Sequence, residues 1–315
     1  MHKKISVGLC LTIAIITLVV TAIITTAVTM NIFSGLVSDL PERENMYAGL
    51  AEIDSIIRKN YYGTAEEEIA NDGISDGYLS SLTTGRNYHM TAAEYAEYKT
   101  VQSGKDADGN AVVTVEFQKF NNAGYIKISD FTDMTADEFS KAVTSLRNDG
   151  VSGLIIDVRN TDSINISAAA EIVDILVPLA TEGTQSIATA VDKNNKNIQI
   201  FAADSESSDL PVSVIVNDKT AGAGELLACD IRDFGKGTVV GTTTAGNGTY
   251  QQIFELSDGS AVVLTVAKLL PYTSGCYDGT GIIPDYEVQP EGTPSELKDD
   301  VQFMRAYASV NTLIK

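Results

Sequence analysis

The sequence predicts an α/β protein: a mixed sheet with flanking helices, preceded by a small helical N-terminal cap and an N-terminal transmembrane helix. Three observations carry this. From Ala111 onward, β-type apolar runs alternate with amphipathic helical stretches. Between Asp39 and about Val101 the periodicity is helical and polar. No charged residue occurs from Ile5 to Ser38. The implied segments are a cytoplasmic tip and anchor over 1–38, a cap over 39–103, an α/β core over 104–292 and a C-terminal helix over 293–315.

A membrane helix needs about 20 apolar residues, whereas a cleaved signal has a core of roughly 7–15. The run from Ile5 to Met30 is therefore expected to be a single-pass anchor, with a cleaved signal peptide as the lesser alternative. Lys3 and Lys4 before it, with Asp39, Glu42 and Glu44 after it, place the N-terminus in the cytoplasm and the bulk of the chain outside. The expected location is the cell membrane, with the membrane as one partner through the N-terminal helix.

The chain has 315 residues, 44% of them hydrophobic, and a formal net charge of -20. That balance argues against nucleic acid as a partner, because phosphates require a basic face. With no CxxC or HExxH and only His2 and His89, neither a metal nor another cofactor is expected. Cys10, Cys229 and Cys276 are too few for a disulfide framework. Cys229 and Cys276 could pair outside the cell; two buried thiols are the preferred reading.

In the cap, "ENMYAGLAEIDSIIRKNYYG" places Tyr47, Leu50, Ile53, Ile56 and Ile57 on one helical stripe. A second helix turns Ile69, Ile74, Tyr78 and Leu82 inward. A third starts at Thr91, with Glu94 at capping-box spacing. The linker "SGKDADGN" ends this region. "AVVTVEFQKF" and "YIKISDF" around "NNAG" form a hairpin, and a helix follows with a capping box at Thr135 and Glu138. The apolar strand "GLIIDVRN", the helix "SAAAEIVDILVPLA" and two strands around "DKNNKN" come next. Then "PVSVIV" runs through the turn "NDKTAGAG" into a helix from Glu225. "GTVVG", "TYQQIFEL" and "SAVVLTVAKLL" complete the sheet, and "PSELKDDVQFMRAYASV" is a surface helix.

In this order, "NAGYIKISDF", "GLIIDVRN", "PVSVIVND", "GELLACDIRDFGKGTVVG", "LSDGSAVVLTVAKLLPYTSG" and "GIIPDYEV" resemble the C-terminal processing peptidases, or tail-specific proteases. "NYHMTAAEYAEY" looks like their N-terminal cap. The resemblance covers about Glu44 to Pro290 and implies a ClpP/crotonase-like core with a serine–lysine dyad. A serine hydroxyl is a poor nucleophile until a base takes its proton, and lysine does so only when desolvation lowers its pKa.

On the family's S-A-S-A-S-E turn, "TAGAGE" puts Gly222 at the nucleophile and Gly224 at the later serine. The lysine position falls on Asn247, in register at 247 − 222 = 25, and Gln251 matches the auxiliary glutamine. Where the family carries N-N-P-G-G beside the oxyanion site, this chain has Asp162, Ser163 and Ile164 after Thr161. The usual PDZ domain does not fit within "SGKDADGN".

The expected function is therefore that of a membrane-anchored, extracytoplasmic member of this serine-type family, catalytically inactive and acting as a peptide-binding or regulatory pseudoprotease, with no intact catalytic residue. Removing the acting groups of a serine peptidase costs on the order of 10⁶ in turnover. The alternative is an active endopeptidase using displaced groups such as Thr220 or Thr242 to Thr244, for which turn hydrogen bonding is the plainer role. A degenerate cleft is expected along Thr161, Asp162, Ser163, Ala223, Gly224 and Gly246. Free N–H groups at a helix start favour an acceptor there, such as a peptide carbonyl or terminal carboxylate. An extended peptide or protein tail is the expected partner, and an active homologue is a second; a water-filled groove is the equal alternative to the first.

Overall fold

The computed structural model describes residues 17, 21, 25, 26, 40–177, 185–203 and 208–314, with side-chain burial from 44 onward. The chain divides into two units, Met1–Asn71 and Asp72–Lys315. The anchor expected within 1–38 lies outside the described residues apart from four threonines. Among the described residues no helix is long and apolar enough to cross a membrane. The single-pass membrane assignment is corrected accordingly, and with it the cytoplasmic and extracytoplasmic sides drawn from it. The longest described helix, α1 (Leu40–Asn60), carries Glu52, Asp54, Arg58 and Lys59 in its second half, and such charges cannot sit in a lipid interior.

The stripe on α1 is helical as expected, but it does not face inward. Tyr47 is 59% exposed and Ile53 56%, with Ile56 and Ile57 also open. In α2 (Glu67–Ser80), Ile69, Ile74 and Tyr78 are exposed, as is Leu82 beyond it; only Leu79 is buried. Periodicity fixes which side chains share a face and is silent about what covers that face.

In the second unit, β1 (Tyr88–Met90) leads to α3 (Ala92–Gln102), whose Thr91–Glu94 capping box forms as expected. The hairpin is β2 (Val115–Phe120) and β3 (Ala123–Ile128). Helix α4 (Thr135–Asn148) follows, without the capping box read from Thr135 and Glu138. The Glu138 carboxylate instead accepts from the Thr114 and Val115 N–H groups, at 2.9 and 3.1 Å, and so tethers the helix to the hairpin.

Next come β4 (Gly153–Asp157), the two-residue β5 (Asp162–Ser163), α5 (Ile166–Leu176), β6 (Gln185–Asp192) and β7 (Asn197–Ala203). They are followed by β8 (Val212–Val216), β9 (Ala221–Gly222), α6 (Ala223–Asp233) and β10 (Gly237–Gly241). The chain closes with β11 (Thr249–Glu255), β12 (Ala261–Leu270), β13 (Tyr286–Glu287) and α7 (Val301–Leu313). A six-stranded sheet runs β13-β10-β8-β4-β3-β2, parallel except for edge strand β2. A five-stranded antiparallel sheet is ordered β1-β12-β6-β7, with β11 also on β12. Strands β5 and β9 form a separate parallel pair.

Strand alternation assigns the core. Ile126, Leu154, Ile156, Val214 and Val216 pack with Phe139, Ile172 and Leu226 on one face of the large sheet. Their neighbours Tyr125, Ile155 and Ile215 pack with Phe303, Ala306 and Val310 of α7 on the other. Both faces of β4 are covered, which is why its sequence is apolar from Gly153 to Ile156. The C-terminal helix is thus not a surface element: Phe303 is fully buried, edge-on to Phe120 and Tyr125 at 5.0 and 5.5 Å. Asp300 caps its start, accepting from the Gln302 and Phe303 N–H groups. Arg159 bridges Asp157 at the end of β4 to Asp300, at 2.5 and 2.8 Å. Burial opposes the guanidinium charge, but these two carboxylates hold its pKa above the ordinary value.

Phe303→Ala removes the ring that joins α7 to the sheet and should cost about 3–5 kcal/mol, read by urea denaturation. A second test concerns Asp230, fully buried in α6, where burial raises its pKa well above the usual carboxylate range; the Tyr272 N–H bond at 3.0 Å offsets this only in part. A carboxyl whose pKa is raised on folding contributes stability that is whole below its unfolded pKa, near 4, and is lost as pH rises. Asp230→Asn should remove that slope, so the variant gains on the parent steadily as unfolding is measured from pH 4 to pH 8.

Candidate active-site remnant

The loops after β4, β8 and β10 leave from the carboxyl ends of adjacent parallel strands, where α/β sheets place their sites. After β8 the chain turns through Asn217 to Thr220, closed by Thr220 N–H on the Asn217 carbonyl at 3.0 Å. It then passes β9 and enters α6 at Ala223, two residues before the start read from the sequence. Gly222 stands at the bend with φ 59° and ψ −110°, a backbone state that glycine adopts without a side-chain penalty.

Glu225, in the first turn of α6, has no exposed surface. Its carboxylate accepts from the N–H groups of Gly222 at 3.0 Å, Gly246 at 2.7 Å and Asn247 at 2.7 Å, and from the Thr244 hydroxyl. One buried acid therefore ties the bend to the loop after β10. A carboxylate is also favourable at a helix N-terminus.

That tie brings together Gly222, Asn247 and Gln251, the three positions set in register by the sequence. Asn247 is 6% exposed. Its Oδ1 accepts from the Thr249 hydroxyl at 2.8 Å and from Gln251 Nε2 at 3.5 Å. Gln251 is itself held on Thr249 at 2.6 Å. Asn247 Nδ2 is buried with no hydrogen-bond partner and lies 3.6 Å from the point a Cβ on Gly222 would occupy.

The 161–164 segment completes the arrangement. Asp162 pairs with Ala221 and Ser163 with Gly222, and the Ala221 N–H donates to the Thr161 carbonyl at 2.8 Å. A Cβ on Gly222 would stand 2.3 Å from the Ser163 carbonyl oxygen, and one on Gly224 would stand 2.4 Å from Thr161 Oγ1. Neither position has room for a serine while this segment stays where it is. Ala223 and Gly224 are buried, and Gly246 (φ 84°) abuts the 279–281 backbone.

Of the displaced hydroxyls, those of Thr220 and Thr244 are occupied elsewhere, while Thr243 is exposed. Thr220 is buried and donates to the Val158 carbonyl at 3.0 Å, and Thr244 serves Glu225. Lys219 is exposed, while Lys236 donates to the Ser208 carbonyl. His89 lies 3.7 Å from Asp72, away from the bend. Cys229 and Cys276 are both free; burial pushes the Cys229 thiol up to about 12. Among the described residues, no group of three or more His, Cys, Asp or Glu is placed to hold a metal ion.

Two participants escaped the sequence reading. Glu225 sits three residues after Gly222, a capping spacing that could have signalled its reach back to that N–H. Arg86, which pairs with Asp162, is 76 residues away in the chain and carries no local signal.

The model of "Peptidase family S41" matches residues 122–288. The chain is 33% identical over 188 residues to the carboxyl-terminal-processing protease of Synechocystis sp., covering 59% of this chain and 43% of that protein. It is 32% identical over 186 residues to the carboxy-terminal processing protease CtpB of Bacillus subtilis, covering 58% and 38%. The chain thus spans about two fifths of the length of these curated relatives. Among solved structures, the photosystem II D1 C-terminal processing protease aligns with TM-score 0.52 and 28% identity over 61% of this chain and 52% of that one. A lipoprotein from Streptococcus agalactiae aligns with TM-score 0.55 over 84% and 96% at 17% identity, a likeness of fold alone. With its matched region spanning the three loops that meet at Gly222, this chain belongs to peptidase family S41, the family of the C-terminal processing peptidases.

Proposed function

We propose that this chain is a non-catalytic member of its family, a pseudoprotease that recognises an extended peptide or protein tail rather than cutting it. The observation that carries this reading is the contact at the bend: Gly222 bears no hydroxyl, and the space a side chain would need is 2.3 Å from the Ser163 carbonyl oxygen. Asn247 supplies an amide where an amine base would be required, and an amide cannot accept a proton from an alcohol at neutral pH. The relatives are named as processing proteases, and a polypeptide ligand is carried over from them as part of this proposal. The buried, unpartnered Asn247 Nδ2 beside a helix N-terminus favours an acceptor such as a peptide carbonyl.

The full chain should leave a panel of unstructured fluorogenic peptides uncleaved. Cleavage that survives Thr220→Ala would overturn the reading, and cleavage abolished by that change would favour the displaced-threonine mechanism. Gly222→Ser combined with Asn247→Lys should also stay inactive, and should lose about 1–3 kcal/mol of stability in urea through the positive φ and the clash with Ser163. An undiminished unfolding midpoint would show that the 162–164 segment yields freely.

A further inference from the structure

The Asp162–Ser163 strand lies parallel to Ala221–Gly222 in the manner of an added peptide strand, in backbone register with it. Three contacts on its far side hold it there. Arg86 pairs with Asp162, the Ser163 hydroxyl donates to the Phe131 carbonyl at 3.1 Å, and Ile164 packs on the cluster of Met90, Ala261 and Val263. The strand is short, and it fills the bend incompletely: Asn247 Nδ2 is left without an acceptor although the Ser163 carbonyl is beside Gly222. Cavities of 350 and 540 Å³ flank it, and Ile164, Tyr98 and Gln102 line both. Room for the segment to move therefore exists on either side.

We infer that Asp162–Ile164 is a displaceable internal strand that occupies the chain's own peptide edge, latched by the Arg86–Asp162 ion pair. The inference deepens the peptide-binding proposal and rests on it for its ligand. The Arg86 and Asp162 side chains are 44% and 46% exposed, a setting in which an ion pair is weak and screened by salt. The latch is thus strong enough to bias the closed arrangement and weak enough to yield. Where only the open fraction binds, apparent affinity scales with that fraction, so latch release should raise strand exposure and peptide affinity by one common factor.

The test uses the full chain, with hydrogen exchange by mass spectrometry over residues 160–166 and 219–224, and β8 as the internal reference. Arg86→Ala should speed exchange in both segments about 2- to 5-fold while β8 stays constant, and Arg86→Lys should restore most of the protection. Added salt should speed exchange in the parent and have no such effect in Arg86→Ala. Unchanged exchange in both Arg86→Ala and Ile164→Ser, or a rise that only tracks β8, would overturn the displaceable strand. The binding probe is a fluorescein-labelled copy of residues 160–166, expected to bind Arg86→Ala 2- to 5-fold more tightly than the parent. Faster exchange with no binding to either protein would keep the strand and remove the peptide-binding proposal. Equal binding to both with unchanged exchange would do the reverse.

Discussion

Glu225 is a carboxylate removed from water, and it keeps its charge tolerable by accepting three backbone N–H groups and one hydroxyl. Because those donors come from two loops, the same group that satisfies the acid also sets the distance between the bend at Gly222 and the loop of Asn247. One further bond, from the Ala245 N–H to the Thr220 carbonyl at 3.0 Å, joins the loops after β10 and β8 directly. The Glu225 interaction holds together Gly222 and Asn247, the two positions on which the family resemblance places the serine and the lysine.

The glycines at 222 and 224 and the 161–164 segment form one physical arrangement. With no side chain at 222 the Ser163 carbonyl oxygen comes within 2.3 Å of the space a Cβ would take, and the Thr161 hydroxyl comes within 2.4 Å of that space at 224. Ile164 anchors the approaching segment in an apolar cluster that a glycine at this position could not reach. The departures reinforce one another, which makes reversal of a single residue structurally costly.

Much of this was legible in the sequence, because the signals were local. The order of strands and helices from Val115 to Leu270 and the Thr91 cap follow from periodicity and capping chemistry, while the meeting of Gly222 with Asn247 and Gln251 is what the family resemblance implies. What was missed depended on contacts between distant segments. Glu138 spacing announces a capping box, yet its carboxylate finds better donors on the hairpin. The apolar stripe of α1 is real and solvent-facing. The C-terminal helix reads as amphipathic and polar enough for the surface, but Phe303 meets an aromatic pair supplied by β2 and β3. The charge-free N-terminal run gave no spanning helix among the described residues.

The position of α7 has a consequence for how the protein is assembled. Its Phe303, Ala306 and Val310 pack over Tyr125, Ile155 and Ile215, and it is synthesised after every strand that it covers. A nascent chain therefore carries this face of the sheet incompletely covered until Val301–Leu313 emerges. In that interval the growing polypeptide exposes apolar surface of the kind that drives misassociation.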